Sequence, residues 1–182
     1  MTSEADFIAA LRDPAQRDLA FRRLVETYQE RLYWHIRRIV LSHDDTDDVL
    51  QNTFIKVFKH IGQFKGDSQL YSWLYRIATN EALSFLRKRS RMQGFDEAEM
   101  QEYMVSRLEA DPYFDGDAAQ RQLQQALARL PEKQRLVFNM KYFEEMKYDD
   151  ISEVLDTSVG ALKASYHHAV KKIEQYLKTV NA

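Results

Sequence analysis

An all-α fold is predicted, with two small helical domains joined by a flexible acidic linker and a helix-turn-helix in the second domain. Three observations predict it. Apolar residues recur at helical spacing over nearly the whole chain, and five glycines and three prolines leave few places to break it. Charge is sorted along the sequence: residues 1–91 carry 15 Lys/Arg against 12 Asp/Glu, residues 92–117 carry 1 against 8, and residues 118–182 carry 10 against 8. Late in the chain, Ile151, Val154 and Leu155 are separated from Val159 and Leu162 by a short turn at Asp156-Thr157. The boundaries follow as a domain over 1–91, the linker over 92–117 and a second domain over 118–182. The net charge of −2 therefore conceals two mildly basic blocks and does not argue against a nucleic-acid partner.

The elements follow in order. A first helix over 14–41 places Leu24, Tyr28, Leu32, Ile36 and Ile39 on one stripe. A second over 44–62 buries Leu50, Phe54, Val57, Phe58 and Ile61, and ends on Gly62, suited to the left-handed C-terminal position. After a turn at 63–67, Ser68 is placed to cap a third helix reaching Arg91, with Trp73, Leu74, Ile77, Ala78 and Phe85 inward. Between 92 and 117 periodicity weakens, and Asp111-Pro112 and Asp115-Gly116 mark turns. Helices resume over 118–130. Pro131 opens the next, whose core side is Leu136, Val137, Met140 and Phe143. Tyr148–Leu155 and Val159–Val180 follow, the latter capped by Thr157 or Ser158.

The spacing around Asp156-Thr157 suits a helix-turn-helix, whose second helix enters the DNA major groove, although a plain helical hairpin has the same apolar pattern. The opposite face discriminates. At 100° per residue, Val159, Leu162, Tyr166, Val170, Ile173 and Leu177 point inward while Gly160, Ala164, His168, Lys171 and Gln175 point outward. Small residues let a helix N-terminus approach base edges, and Lys171, Lys172 and Lys178 are placed to meet phosphates. In the first domain, Arg76, Asn80, Leu83 and Arg87 form a stripe running into a basic cluster at 87–91. Phe64, Tyr71, Trp73 and Tyr75, interleaved with Lys65, Asp67, Ser68 and Gln69, supply rings and polar groups suited to unpaired bases, with Trp73 and Tyr75 equally suited to a core. The outer face of the second helix, Asp48, Gln51, Asn52, Ile55 and Lys59, suits a protein partner better than DNA.

Several classes are excluded. The chain has no cysteine, no phosphate-cradling glycine loop, no HExxH and no glycine-flanked serine, so no enzyme, metal site, cofactor or small-molecule substrate is expected. His167 and His168 are adjacent on a helix and diverge, so they do not form a metal pair. No apolar run approaches the roughly 20 residues that cross a bilayer, and the expected location is the cytoplasm.

Three segments in this order resemble the extracytoplasmic-function group of sigma factors. DDTDDVLQNTFIKVFKHIGQF resembles its polymerase-binding segment, FKGDSQLYSWLYRIATNEALSFLRKR its −10 recognition and melting segment, and LARLPEKQRLVFNMKYFEEMKYDDISEVLDTSVGALKASYHHAVKKIE its −35-binding domain. The resemblance implies that Asp48, Gln51, Asn52 and Ile55 dock on the clamp helices of the largest subunit of core RNA polymerase, with a second contact at the flap region. It implies that Phe64, Lys65, Asp67, Ser68, Tyr71, Arg76, Asn80, Arg87, Lys88 and Arg89 meet the −10 element. It assigns Ser158, Gly160, Ala161, Lys163, Ala164, His167, His168, Lys171 and Lys172 to the −35 element. An anti-sigma factor, often membrane-anchored in the group, is the further implied partner. A conventional helix-turn-helix regulator working without polymerase is the alternative. The chain departs from common group residues at Asn52, Phe58, Asp156, Ser165 and His168, so no particular −35 sequence is carried over.

Overall fold

Ser3 and Asp6 form a reciprocal capping box: the Ser3 hydroxyl accepts from the Asp6 amide at 3.1 Å and the Asp6 carboxylate from the Ser3 amide at 3.2 Å. That box starts α1 (Glu4–Arg12), an element the sequence reading did not include. The computed structural model describes residues 3–112 and 116–182, so of the expected Asp115-Gly116 turn, Asp115 lies outside the described residues. Helices account for every regular element among them.

The first domain packs α1, α2 (Arg17–Val40), α3 (His43–His60) and α4 (Leu70–Gln93) around Leu11, Leu24, Leu32, Ile36, Val57, Leu74 and Ala78. The expected first helix begins at Arg17 rather than 14, because Asp13 turns the chain by accepting from the amides of Ala15 and Gln16. It closes on Leu41, in the left-handed region at φ 63°. The second helix does not end on a left-handed Gly62. It stops at His60 and passes through a 3-10 turn, Ile61–Gln63, and the left-handed glycines are Gly66 and Gly94. Phe58, expected inside, lies 36% exposed with the Arg17 guanidinium 4.1 Å above its ring. Ser68 does not cap the third helix. Gln69 stands at that position without a side-chain bond, and the free Leu70 amide is taken by the Glu4 carboxylate of α1 at 3.1 Å, so a distant helix supplies the cap. α4 overruns Arg91 by two residues and closes on Gly94 at φ 68°, where the Phe95 amide reaches Ser90 O.

The acidic segment is not a structureless spacer. Asp96 and Glu99 form a second capping box that starts α5 (Glu97–Ala110), whose Met104, Val105 and Leu108 are buried in the main core. Arg89 of α4 binds Asp45 of α3 at 3.1 Å and the Tyr103 hydroxyl of α5 at 2.7 Å. Arg107 reaches Ser42 at 3.0 Å, and Arg37 pairs with Asp111.

The second domain holds α6 (Ala118–Ala128), α7 (Glu132–Phe138), α8 (Tyr148–Leu155) and α9 (Val159–Val180). Pro131 sits one place before α7 rather than inside it. α7 runs on into a π-helical turn, Asn139–Phe143, and the chain then turns through Glu145 at φ 52°. One apolar cluster joins Leu127, Leu130, Phe138, Ala169 and Ile173. Met140, Ile151, Val154 and Leu162 instead join the core that continues into the first domain, where α8 lies against α4.

Candidate nucleic-acid and polymerase surfaces

Between α8 and α9 the turn is made at Asp156, with φ 50° and ψ 52°. An L-residue with a side chain is strained there and aspartate is among the few that tolerate it. The Ser152 hydroxyl donates to Thr157 O at 2.6 Å across the turn, and Ser158, rather than Thr157, caps α9 by accepting from the Ala161 amide at 3.3 Å. Leu162, Ala169 and Ile173 anchor the helix inward. Ser158, Gly160, Ala161, Lys163, Ala164, His167, His168, Lys171 and Lys172 are all exposed on its outer side. This is a continuous exposed surface, small at its start and basic further on.

The residues assigned to the −10 element are distributed differently. Lys65, Asp67, Arg76, Asn80, Arg87 and Lys88 are exposed. Phe64 is 5% exposed with its ring 5.1 Å from that of Trp73, so it belongs to the wall that shapes the loop and presents no stacking face. Arg89 is held within the protein by Asp45 and Tyr103 and lies 4.8 Å over the Phe85 ring. Tyr71 is half-buried and its hydroxyl donates to Asp150 of α8. Burial and then Asp150 push this phenol up to about 12, which keeps it a proton donor. Arg87 faces Glu132 at 3.4 Å, a pair open to solvent. Trp73 is partly buried and Tyr75 fully buried, as a core role required.

On α3, Asp48, Gln51, Asn52 and Ile55 are all exposed and lie on one side of the helix, opposite the buried Val49, Thr53 and Val57. Ile55 is 45% exposed. The structure therefore gathers three separate polar faces on α3, α4 and α9.

Some polar residues that shape these faces carried no sequence signal. His35 of α2 is buried and bonds Thr79 of α4 through Nε2 at 2.7 Å. The Thr79 proton goes to Tyr75 O at 2.6 Å, so Nε2 of His35 must be the donor and Nδ1 remains bare. Burial, with Arg38 nearby, pushes His35 down to about 3. Glu144 accepts from the Tyr75 hydroxyl at 2.9 Å and from Arg38, which ties the turn before α8 to both α2 and α4. Its sequence neighbours showed only a charged loop.

The fold is that of a two-domain helical protein with a helix-turn-helix and an exposed, largely polar face on α3. Comparison with known proteins agrees. Residues 24–92 match the Sigma-70 region 2 family and residues 120–173 match the Sigma-70, region 4 family. The RNA polymerase sigma-H factor of Pseudomonas aeruginosa is 31% identical over 175 residues, covering 87% of this chain and 86% of the relative. The ECF RNA polymerase sigma factor SigW of Bacillus subtilis is 29% identical over 168 residues, covering 87% and 89%. The fold is shared with CnrH, solved in complex with the cytosolic domain of CnrY, at a TM-score of 0.69 and 23% identity over 96% of this chain and 98% of that one. It is shared also with the sigma factor RpoE, solved with the anti-sigma factor NepR from Bartonella quintana, at 0.67 and 21% over 87% and 96%. The chain belongs to the sigma-70 family of RNA polymerase sigma factors, in its extracytoplasmic-function group. It directs transcription initiation at promoters, and the reading as a stand-alone helix-turn-helix regulator is not favoured. The family consists of DNA-binding regulators rather than enzymes. No described helix is long and apolar enough to cross a membrane.

Proposed function

We propose that the three faces divide the work of promoter selection. The outer face of α3, through Asp48, Gln51, Asn52 and Ile55, docks on the clamp helices of core RNA polymerase, and the second domain adds a contact at the flap region. α4 and its preceding loop read and hold the unpaired −10 strand through Lys65, Asp67, Ser68, Tyr71, Arg76, Asn80, Arg87 and Lys88, with Phe64 shaping the loop. α9 reads the −35 element with its small N-terminal residues while Lys171 and Lys172 neutralise phosphate. Strand opening draws on binding energy, since contacts to the single strand offset lost pairing and stacking. The chemistry belongs to the polymerase, and the factor acts in the cytoplasm, where the polymerase works.

The observation that supports this best is the outer face of α9, exposed along its whole length, beside a separate acidic and amide face on α3. An anti-sigma factor is the expected negative regulator, consistent with the NepR complex of the structurally similar RpoE. Run-off transcription with purified core polymerase on a promoter fragment library tests the reading. Promoter-dependent transcripts that need the chain are expected, and their absence across the library rejects it.

A further inference from the structure

A cavity of about 260 Å³ lies where the C-terminal part of α4, one side of α5 and the start of α7 meet. Its apolar wall is Leu86 of α4, Met100 and Met104 of α5, and Leu130 from the turn before α7. Leu86, Met104 and Leu130 are buried, and Met100 is half-buried. Arg135 of α7 lines the same space. Among the described residues two arginines are buried, Arg37 at 8% exposure and Arg135 at 7%, and they differ in partners. Arg37 is paired with Asp111. Arg135 has no such carboxylate, and its Nε finds no acceptor in the protein. Glu132, one turn earlier, faces Arg87 at 3.4 Å instead. Burial pushes the Arg135 guanidinium below its usual range, with the charge of Glu132 opposing that shift.

We infer that this cavity is a binding site for a small amphipathic monocarboxylate, whose carboxylate pairs with Arg135 and whose alkyl part lies on Leu86, Met100, Met104 and Leu130. A buried cation without a partner is costly, and an entering anion removes that cost, so an acid is favoured over a neutral molecule of the same shape. The guanidinium carries its donors in a planar fork that matches the two oxygens of a carboxylate. Arg87 also lines the cavity, but its side chain is 60% exposed and faces Glu132, which makes it the weaker anchor. Glu97 and Glu132 stand on the same lining, and their charge disfavours a phosphate dianion. Methionine thioethers adapt to irregular shapes, so the α5 wall suits a flexible alkyl chain. The volume falls below the roughly 300–1,000 Å³ of sites for drug-sized ligands, which limits the occupant to a small acid. Because α4, α5 and α7 each supply part of the lining, an occupant stabilises the folded chain in proportion to its occupancy.

The test titrates the full chain with octanoate and reads binding by isothermal calorimetry and by melting temperature. A dissociation constant of about 0.1 mM is expected for a ligand of this size. At about ten times that concentration the melting temperature should rise by about 3–6 °C. Octanamide has the same shape without the charge, and inorganic phosphate has charge without the alkyl chain; each should bind about ten-fold more weakly or worse. Arg135→Met keeps the length of the side chain and removes its charge, and should weaken octanoate binding by about ten-fold or more. Met100→Trp fills the cavity from its half-buried wall and should have the same effect, which covers the case in which the first variant does not fold. Absence of octanoate binding up to about 10 mM, undiminished binding in either folded variant, or equal affinity for octanamide or phosphate would overturn the inference.

Discussion

The outer face of α9 and the polar face of α4 are built from similar materials and differ in what stands beside them. α9 exposes its small and basic residues along their whole run. On α4, Tyr71 lies under Asp150, and Arg76 and Asn80 look across a groove at α7 and α8. Around α9 the exposed charge is that of Lys163, Lys171 and Lys172, whereas beside α4 the second domain places Glu132, Lys133, Asp150 and Glu153. One small domain thus carries a mixed, carboxylate-bearing side toward its neighbour and a lysine-bearing side away from it. Net charge per domain cannot express that arrangement.

Acid should have the largest effect, acting through a buried histidine of the first domain. His35 is held at about 3 in the folded first domain against about 6.5 when unfolded, so the unfolded state takes up a proton that the native state refuses. The contribution of His35 to stability is fully present above about pH 6.5 and is lost as the pH drops toward 3, at up to about 1.4 kcal/mol per pH unit. Circular dichroism melts from pH 7 to 4.5 should show this loss, and His35→Gln should flatten the slope. An unaltered slope in that variant would remove His35 as its cause.

Replacing Asp48 and Gln51 together by alanine should weaken core polymerase binding by about 10- to 100-fold, as expected for the centre of an interface, and leave the melting curve unchanged. Titration that finds wild-type affinity would take these residues out of the interface. Asp156→Val places a branched side chain at φ 50° and should destabilise the second domain by about 1–2 kcal/mol, whereas Asp156→Gly should be neutral or slightly stabilising. Equal midpoints for the two in denaturant would contradict strain at the turn. Smallest is Lys171→Ala, which should weaken promoter binding uniformly across sequences and reduce the salt slope by about 1. A substitution at Ala164 should instead alter −35 preference, and indistinguishable profiles for the two would undo the division of α9 into reading and phosphate-neutralising parts.

Much of this was legible in the residues. The stripe Leu24, Leu32, Ile36 and Ile39 lies inside, as its spacing required, and α8 and α9 fall within the expected bounds. α1 and α5 were overlooked although each begins with a capping box, Ser3 with Asp6 and Asp96 with Glu99. Those four-residue signals lie without a long apolar stripe behind them, and the acids of 92–117 read as a linker. Met104, Val105 and Leu108 had helical spacing, but only the presence of a receiving surface on the first domain makes them a buried face. Phe58 was misplaced inward because the second helix's apolar stripe is wider than the core it meets, and Arg17 covers the excess ring.

The sequence by itself determined the helical segments other than α1 and α5, where α9 turns its small and basic residues, and that the chain's acidity is concentrated in 92–117, because periodicity and composition are properties of neighbours along the chain. Tertiary structure alone decided that Glu4 caps α4, that Arg89 binds Asp45 and Tyr103, and that Glu144 and Asp150 accept from Tyr75 and Tyr71. Those contacts join residues 44 to 79 positions apart or, for Arg89 and Tyr103, 14 apart on different helices. Their stability comes from the burial and pairing that packing creates, which no local pattern encodes.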